Sequence, residues 1–335
     1  MAKLLITGGS GFIGTNFIRY WKRAHPNDAL TNLDLLTYAG SEAAGTNGAK
    51  SAARFVKGDI CHAPTVQRLM RGTDAVIHFA AETHVDRSIL DSQVFLKTNV
   101  LGTHTLLEAA RKANVKKFIF ISTDEVYGSI DKGSFTEFSS LRPNSPYAAS
   151  KAAADLLCRS YWVTHRFPVI VTRASNNYGP YQFPEKVIPL FITNLLQGKK
   201  VPLYGKGDNK REWIHAEDHA RAIEKVLDKG EPGEIYNVGS GYELSNRELA
   251  GMILKLLGKG EDFIEPVQDR PGHDFRYALD SSKLKNLGWA PQKNFSQGLA
   301  ETVEWYRSNE SWWKKIKGKN TYKTYIRKQY AGRSK

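Results

Sequence analysis

Tyr147 and Lys151 lie four residues apart in SPYAASKAAADLL, a stretch with helical periodicity. On a helix that spacing stacks them on one face, a turn apart. A tyrosine hydroxyl ordinarily ionises near pH ~10. A neighbouring ammonium, together with the positive ring of an oxidised nicotinamide, favours the phenolate and lowers that value. A phenolate can take a proton from a substrate hydroxyl while hydride leaves the same carbon. Upstream, the run FIFISTDEVYG carries Thr123, Asp124 and Glu125 just after Ser122. Two adjacent carboxyl groups exceed the needs of a simple alcohol oxidation. They suit an elimination, in which an acid and a base act on one substrate. A turn cap also accounts for one of them, and a surface pair accounts for Y-x-x-x-K taken alone.

Gly8, Gly11 and Gly14 form G-x-x-G-x-x-G directly after an apolar run and at the start of a helical pattern. A dinucleotide pyrophosphate needs close backbone approach, which a Cβ would obstruct, and gains from the N–H groups of the helix start. Asp34 stands twenty residues after Gly14, at the end of the second apolar run. A carboxylate there binds both ribose hydroxyls of NAD and repels a 2′-phosphate. Leu35 follows, so no Arg adjoins to welcome NADP.

These groups need a scaffold that brings strand ends together. KLLITGG, ALTNLDLL, ARFVKGD, AVIHFAA, KFIFIST and FPVIVTRAS read as strands, with helical patterns such as PTVQRLMRG and VFLKTNVLGTHTLLEAARKA between them. Continuous apolar strands alternating with helices predict an α/β fold, a Rossmann-like parallel sheet with helices on both faces. In such sheets functional groups gather beyond the carboxyl ends of the strands. After about residue 175 Pro and Gly become frequent, which predicts a smaller, loop-rich, interleaved substrate region. The expected division is 1–175 for the dinucleotide domain, with a strand and helix near 213–240 returning to it. Residues 176–310 form the substrate region and 311–335 a basic C-terminal extension.

The net charge is +14, and nine Lys or Arg with no acid fall between Ser311 and Lys335. The remaining body is only mildly basic, which suits a small anionic substrate. The tail reads as a solvated, partly ordered extension, and nucleic acid is not an expected partner. Its aromatics, Trp312, Trp313, Tyr322, Tyr325 and Tyr330, argue that some of it docks on the body. Cys61 and Cys158 lie far apart and form no metal or disulfide pattern, which suits a reducing cytoplasm. No metal site, signal peptide or membrane-spanning run is expected.

The chain resembles the extended short-chain dehydrogenase/reductase family, and within it the dTDP-glucose 4,6-dehydratases, from about residue 3 to residue 310. The stretches that carry the resemblance are ITGGSGFIG, DLLTYAG, HFAAETHVDRSI, STDEVYGS, SPYAASKAAAD, SNNYGPYQFPEKVIPLFI, REWIHAEDHARAI and DRPGHDFRYALD. The Asp-Glu pair sets these dehydratases apart from sugar-nucleotide epimerases. The resemblance implies a tightly bound NAD, regenerated each turnover, and a dTDP-glucose substrate converted to the 4-keto-6-deoxy sugar nucleotide. Tyr147, supported by Lys151 and Thr123, deprotonates the 4-hydroxyl as hydride leaves C4. Glu125 then removes the C5 proton while Asp124 protonates the departing 6-hydroxyl, and hydride returns to C6. Such products feed deoxysugar biosynthesis, rhamnose for example.

By the same resemblance Phe12, Ile13, Thr37, Asp59, Ile60, Ala80, Ala81, Thr98 and Asn177 join the glycines and Asp34 around the cofactor. Thr83, Asn176, Lys186, Val187, Pro202, Tyr204, Arg211, Asn246, Arg270 and His273 match the nucleotide-sugar site. Arg211 and Arg270 suit a diphosphate, because guanidinium forks fit phosphate oxygens. Locally, His273 reads equally as a surface histidine. Thr83 stands where the family usually has Ser, and Glu212, His215 and Ala216 where it tends to Asp, Tyr and Val. A homodimer is implied, paired through the helix holding Tyr147 and one spanning roughly Val94 to Ala113. The alternatives are a 4-epimerase, a UDP- or CDP-glucose dehydratase, and a silent NAD-bound scaffold or nucleic-acid partner using the tail.

Overall fold

The structure, a computed structural model, describes residues 1–40 and 53–330. Its centre is a seven-stranded sheet built from β1 (Lys3–Thr7), β2 (Ala29–Asp34), β3 (Arg54–Lys57), β4 (Ala75–His78), β5 (Lys117–Thr123) and β6 (Val169–Ala174). The short strand β7 (Asn176–Tyr178) leaves it, and β8 (Val201–Tyr204) and β9 (Lys210–His215) follow in the smaller lobe. The seventh strand, β10 (Ile235–Val238), returns to the main sheet beside β6. The chain then adds β11 (Glu243–Ser245) and β12 (Ile264–Val267).

The order in the main sheet is β10-β6-β5-β4-β1-β2-β3, and every adjacent pair is parallel. The chain direction across the sheet reverses between β1 and β4. That switch opens a crevice at the carboxyl ends of the strands. The predicted strands are strands of this sheet; the continuous apolar runs of β1, β4, β5 and β6 are covered on both faces, while the edge strand β3 is largely exposed. Leu4 and Ile6 point to one face with Phe17, Trp21, Ile119 and Ile223, under the helices Phe12–Ala24 and Ala216–Lys229. Leu5 points to the other with Val76, Leu106, Phe118 and Cys158. Neighbours on a strand alternate faces, so one short run supplies both cores.

The helical pattern from Val94 to Ala113 is interrupted: Leu96–Gly102 winds as a π-helix before the α-helix Thr103–Lys112. A Cβ at Gly102 would meet the end of the Ile60 side chain at 2.4 Å, so a larger residue here would have to displace Ile60. Such turns recur at functional sites, and Thr98 lies within this one.

The smaller lobe carries a three-stranded sheet, β11-β9-β7, and the pair β12-β8. Its core contains Ile188, Phe191, Trp213, Leu249, Leu299, Tyr306 and Trp313. Two of the residues that depart from the family pattern, Glu212 and His215, lie on β9 of this lobe. Glu212 accepts from the backbone N–H groups of Gly241 (2.7 Å) and Leu279 (2.9 Å). The His215 ring accepts from Glu217 N at the start of the Ala216–Lys229 helix.

The C-terminal segment differs from a solvated extension. It forms two helices, Glu310–Gly318 and Asn320–Tyr330. Trp313, Tyr322 and Tyr325 are buried. Tyr322 donates to the Pro184 carbonyl at 2.9 Å, and the Trp313 indole to the Tyr306 carbonyl at 2.7 Å. Burying these aromatics leaves Lys314, Lys315, Lys319, Lys323, Arg327 and Lys328 exposed, whereas Lys317 docks on the body and donates to Thr193 Oγ1 (3.1 Å) and Asn194 Oδ1 (2.8 Å). Arg333 and Lys335 lie outside the described residues. No described helix is long and apolar enough to cross a membrane.

Candidate active site

The glycine turn begins the site. Gly8 has φ +73°, and a Cβ there would sit 2.5 Å from Ala80 N. A Cβ on Gly14 would sit 2.4 Å from the Gly8 carbonyl oxygen. The glycines therefore let β1, the turn and the Phe12–Ala24 helix pack closely. That helix has no side-chain cap and no acid in its first turn, which leaves its N–H groups and positive end for an anion. Asp34, at the end of β2, accepts from Ser10 N (2.9 Å) and Leu36 N (2.8 Å), one bond on each oxygen. A carboxylate oxygen offers a second lone pair, so Asp34 keeps acceptors for hydroxyl groups. Burial pushes its pKa up, against the pull of those two N–H groups.

A cleft of about 300 Å³ runs from this turn to the end of β5. Gly8, Gly11, Phe12, Ile13, Gly14, Asp34, Thr37, Asp59, Ile60, Ala80, Ala81, Thr98 and Asn177 all line it. So do Thr83, Asn176 and Lys186, and all five of Thr123, Asp124, Glu125, Tyr147 and Lys151. The glycine cradle, the uncapped helix start and the paired acceptors of Asp34 fit a dinucleotide.

The helix Pro146–His165 carries Tyr147 and Lys151. Ser145 caps it, accepting from Ala148 N, and proline opens its first turn. Lys151 reaches back to the sheet, where Nζ donates to the Ile121 carbonyl at 2.6 Å and lies 4.2 Å from the centre of the Phe120 ring. Burial lowers its pKa to about 8. β5 ends at Thr123, whose Oγ1 donates to Asp124 Oδ1 (3.1 Å) and accepts from Glu125 N (3.3 Å). The same hydroxyl acts on Tyr147, pulling its pKa down.

Asp124 is buried, and its Oδ2 has no partner among the described residues. Burial first, and then the Glu125 carboxylate, push its pKa well above the ordinary carboxyl value. Glu125 is less enclosed. Burial raises its pKa, while Arg270, Lys186 and Arg211 pull it down. Both carboxyls are thus pushed up, Asp124 the further, while three cations oppose the rise at Glu125.

Tyr147 departs from expectation. The spacing predicts a phenol lowered by Lys151, yet burial, followed by the Glu125 and Asp124 carboxyls, raises it, and only the Thr123 hydroxyl pulls the other way. In the protein alone, desolvation outweighs a lysine that is itself bonded to the Ile121 carbonyl.

A second cavity of about 160 Å³ joins the first at Glu125, Asn176 and Lys186. Val187, Pro202, Tyr204, Arg211, Asn246, Arg270 and His273 line it. Arg211 donates to the carbonyls of Lys210 (2.7 Å) and Asp274 (2.9 Å) and lies 4.4 Å over the Tyr277 ring. Arg270 pairs with Asp86 at 3.0 Å, and its Nε is buried without a partner among the described residues. His273 faces this cavity rather than the outer surface, bonded to Asp269 at 2.6 Å. Burial and the nearby arginines lower its pKa to about 4.

Several residues around these cavities escaped the sequence analysis. Glu185, fully buried, binds Arg87 at 2.7 Å, and the Arg87 guanidinium lies 3.8 Å from both the Tyr38 and Tyr325 rings. His84, Asp86, Gln329 and Tyr330 line the second cavity. For the tail, the helical spacing of Tyr322, Tyr325 and Gln329 was the available signal. Nothing local marks Asp86 or Glu185, whose partners lie far away in sequence.

Comparison with known proteins places this geometry. A family model described as GDP-mannose 4,6 dehydratase matches residues 5–302. A dTDP-glucose 4,6-dehydratase of Streptomyces antibioticus is 52% identical over 320 residues, covering 94% of this chain and 95% of that protein. The crystal structure of DesIV, a dTDP-glucose 4,6-dehydratase from Streptomyces venezuelae with NAD bound, superposes with a TM-score of 0.92 at 54% identity, covering 94% of this chain and 99% of that one. A UDP-glucose 4-epimerase of Thermus thermophilus complexed with NAD shares the fold at 31% identity and a TM-score of 0.85, over 92% of this chain and 99% of that one. By its match along nearly the whole length of both curated and solved relatives, the chain belongs to the dTDP-glucose 4,6-dehydratase family.

Proposed function

We propose that this enzyme dehydrates dTDP-glucose to dTDP-4-keto-6-deoxyglucose. The observation that carries it is the meeting of Asp124, Glu125 and Tyr147 on one cleft beside a dinucleotide cradle. When bound, NAD supplies the acceptor for the C4 hydride and the donor that restores hydride at C6. Tyr147 takes the 4-hydroxyl proton, and the positive nicotinamide opposes the desolvation that raises this phenol. Thr123 favours the Tyr147 phenolate, and Lys151 places a buried cation one helical turn away.

Oxidation at C4 acidifies the C5 proton, which Glu125 accepts and gives back to C5 once hydride is restored at C6. Asp124, whose pKa burial raises, delivers its proton to the departing 6-hydroxyl, so carbon–oxygen cleavage releases water rather than hydroxide. A simple alcohol dehydrogenase or a 4-epimerase needs no such acid. Arg211 and Arg270 in the adjoining cavity meet the diphosphate, and the nucleoside occupies its apolar end.

Further features support a cytoplasmic homodimer acting in deoxysugar nucleotide synthesis, rhamnose for example. Leu90, Leu96, Leu101, Leu156 and Val163 are exposed on helices packed side by side, an apolar face suited to a second copy. The two cysteines are free. Incubation with dTDP-glucose, UDP-glucose and CDP-glucose tests the activity. A 4-keto product, followed by its absorbance in alkali, is expected fastest from dTDP-glucose. Its absence with all three nucleotide sugars would overturn the proposal.

A further inference from the structure

Gln329 lies near the end of the last described helix and lines the second cavity. It is 5% exposed. Its Nε2 donates to the Tyr204 hydroxyl at 3.0 Å, which fixes the amide plane. Its Oε1 is then a buried acceptor with no partner among the described residues. A buried amide oxygen without a donor is unfavourable, so an unpaired one beside a cavity points to a ligand that supplies the donor. Part of the lining of this cavity is apolar and aromatic. Val187, Leu190, Phe191 and Pro202 line it, and the Tyr204 and Tyr330 rings face each other at 6.2 Å. Arg211 and Arg270 line this same cavity with Glu125. A nucleoside diphosphate sugar with its hexose at Glu125 and its phosphates at the arginines thus delivers its base to Tyr204 and Gln329.

We propose that Gln329 Oε1 accepts a hydrogen bond from the ring N–H of a pyrimidine base, which makes this residue a determinant of base choice. The inference rests on the proposed nucleotide-sugar substrate. Thymine and uracil carry a donor at ring nitrogen 3. Cytosine has a lone pair there, which meets the amide oxygen lone pair to lone pair. A site built around a buried acceptor rejects a ligand lacking the matching donor more strongly than a purely apolar pocket does. Gln329 is therefore a specificity residue away from the reacting atoms.

The test is equilibrium binding of dTDP, UDP and CDP to the full-length, NAD-loaded protein and to its Gln329→Leu and Gln329→Glu variants. Bound NAD and thermal melting are measured alongside as checks on folding. The unmodified protein is expected to bind dTDP and UDP at least tenfold more tightly than CDP. Gln329→Leu should weaken dTDP and UDP about tenfold and leave CDP unchanged, which erases the discrimination. Gln329→Glu keeps an acceptor and should retain the preference against CDP even if overall affinity falls. Unchanged discrimination in Gln329→Leu, or tighter binding of CDP by the unmodified protein, would overturn the role of Gln329 while leaving the nucleotide-sugar proposal standing. Failure of all three nucleotides to bind would overturn both.

Discussion

Lys151 Nζ donates to the backbone carbonyl of Ile121 at 2.6 Å. This bond ties the helix that carries Tyr147 to the strand that delivers Thr123, Asp124 and Glu125. The phenol and the two carboxyls are thereby set against one another by a single buried cation. Lys151→Met removes the charge and leaves the Ile121 carbonyl without that donor. Turnover should fall by about 10²-fold or more, and stability by about 1–3 kcal/mol. Stopped-flow measurement of nicotinamide reduction separates the two effects, since a folded variant with a normal reduction rate would leave Lys151 a purely structural role.

Glu125→Gln keeps the shape of the side chain and removes the base. Oxidation at C4 should continue, while removal of the C5 proton stops. Mixing the variant with dTDP-glucose is expected to produce reduced nicotinamide that persists, with dehydrated product formed roughly 10²–10⁴-fold more slowly. Normal product formation would show that another group removes the C5 proton.

Asp124 carries a linkage signature as well as a catalytic one. Burial raises its folded-state pKa above the ordinary value near ~3.9. The folded protein therefore holds a proton that the unfolded chain releases. Stability tied to that proton is fully present below pH ~3.9 and is lost as pH rises through the folded-state value. Asp124→Asn is permanently neutral and escapes this loss. Its melting temperature should exceed that of the unmodified protein at neutral pH, with the gap closing as pH falls toward ~4, while dehydration is lost. Equal melting curves across the range would mean that Asp124 ionises normally in the folded state.

Arg87 links three parts of the molecule, lying 3.8 Å from the Tyr38 and Tyr325 rings and bound to the buried Glu185. Arg87→Ala leaves that carboxylate buried and unpaired, and stability should fall by about 3 kcal/mol. Arg87→Lys keeps the charge but not the planar fork, and should recover only part of the loss. Denaturant titration of the two variants measures both. Equal stability of Arg87→Ala and the unmodified protein would reduce the sandwich to a surface contact.

The fold was legible because β1, β4, β5 and β6 are buried on both faces and so read as unbroken apolar runs. The cleft was legible for a related reason. Parallel strands end on one side, so Gly8, Asp34, Thr123 and the Tyr147 helix converge once the strand order is known. What escaped depends on contacts distant in sequence. Asp86 meets Arg270, and Arg87 meets Glu185, across about a hundred residues or more. The direction of the Tyr147 shift was hidden too, because it turns on burial that spacing does not encode. The docked C-terminal helices were half visible: charge suggested solvent, and the periodic aromatics suggested a buried face.

The central claim is that one site oxidises C4, expels water across C5 and C6, and returns the same hydride. Dehydration of dTDP-glucose deuterated at C4 tests it most directly, read by mass spectrometry and proton NMR of the product. The expected product is one water lighter, carries the deuterium at C6, and forms without net accumulation of reduced nicotinamide. A product that has lost the label, or that keeps its 6-hydroxyl while reduced nicotinamide accumulates in equal amount, would contradict it.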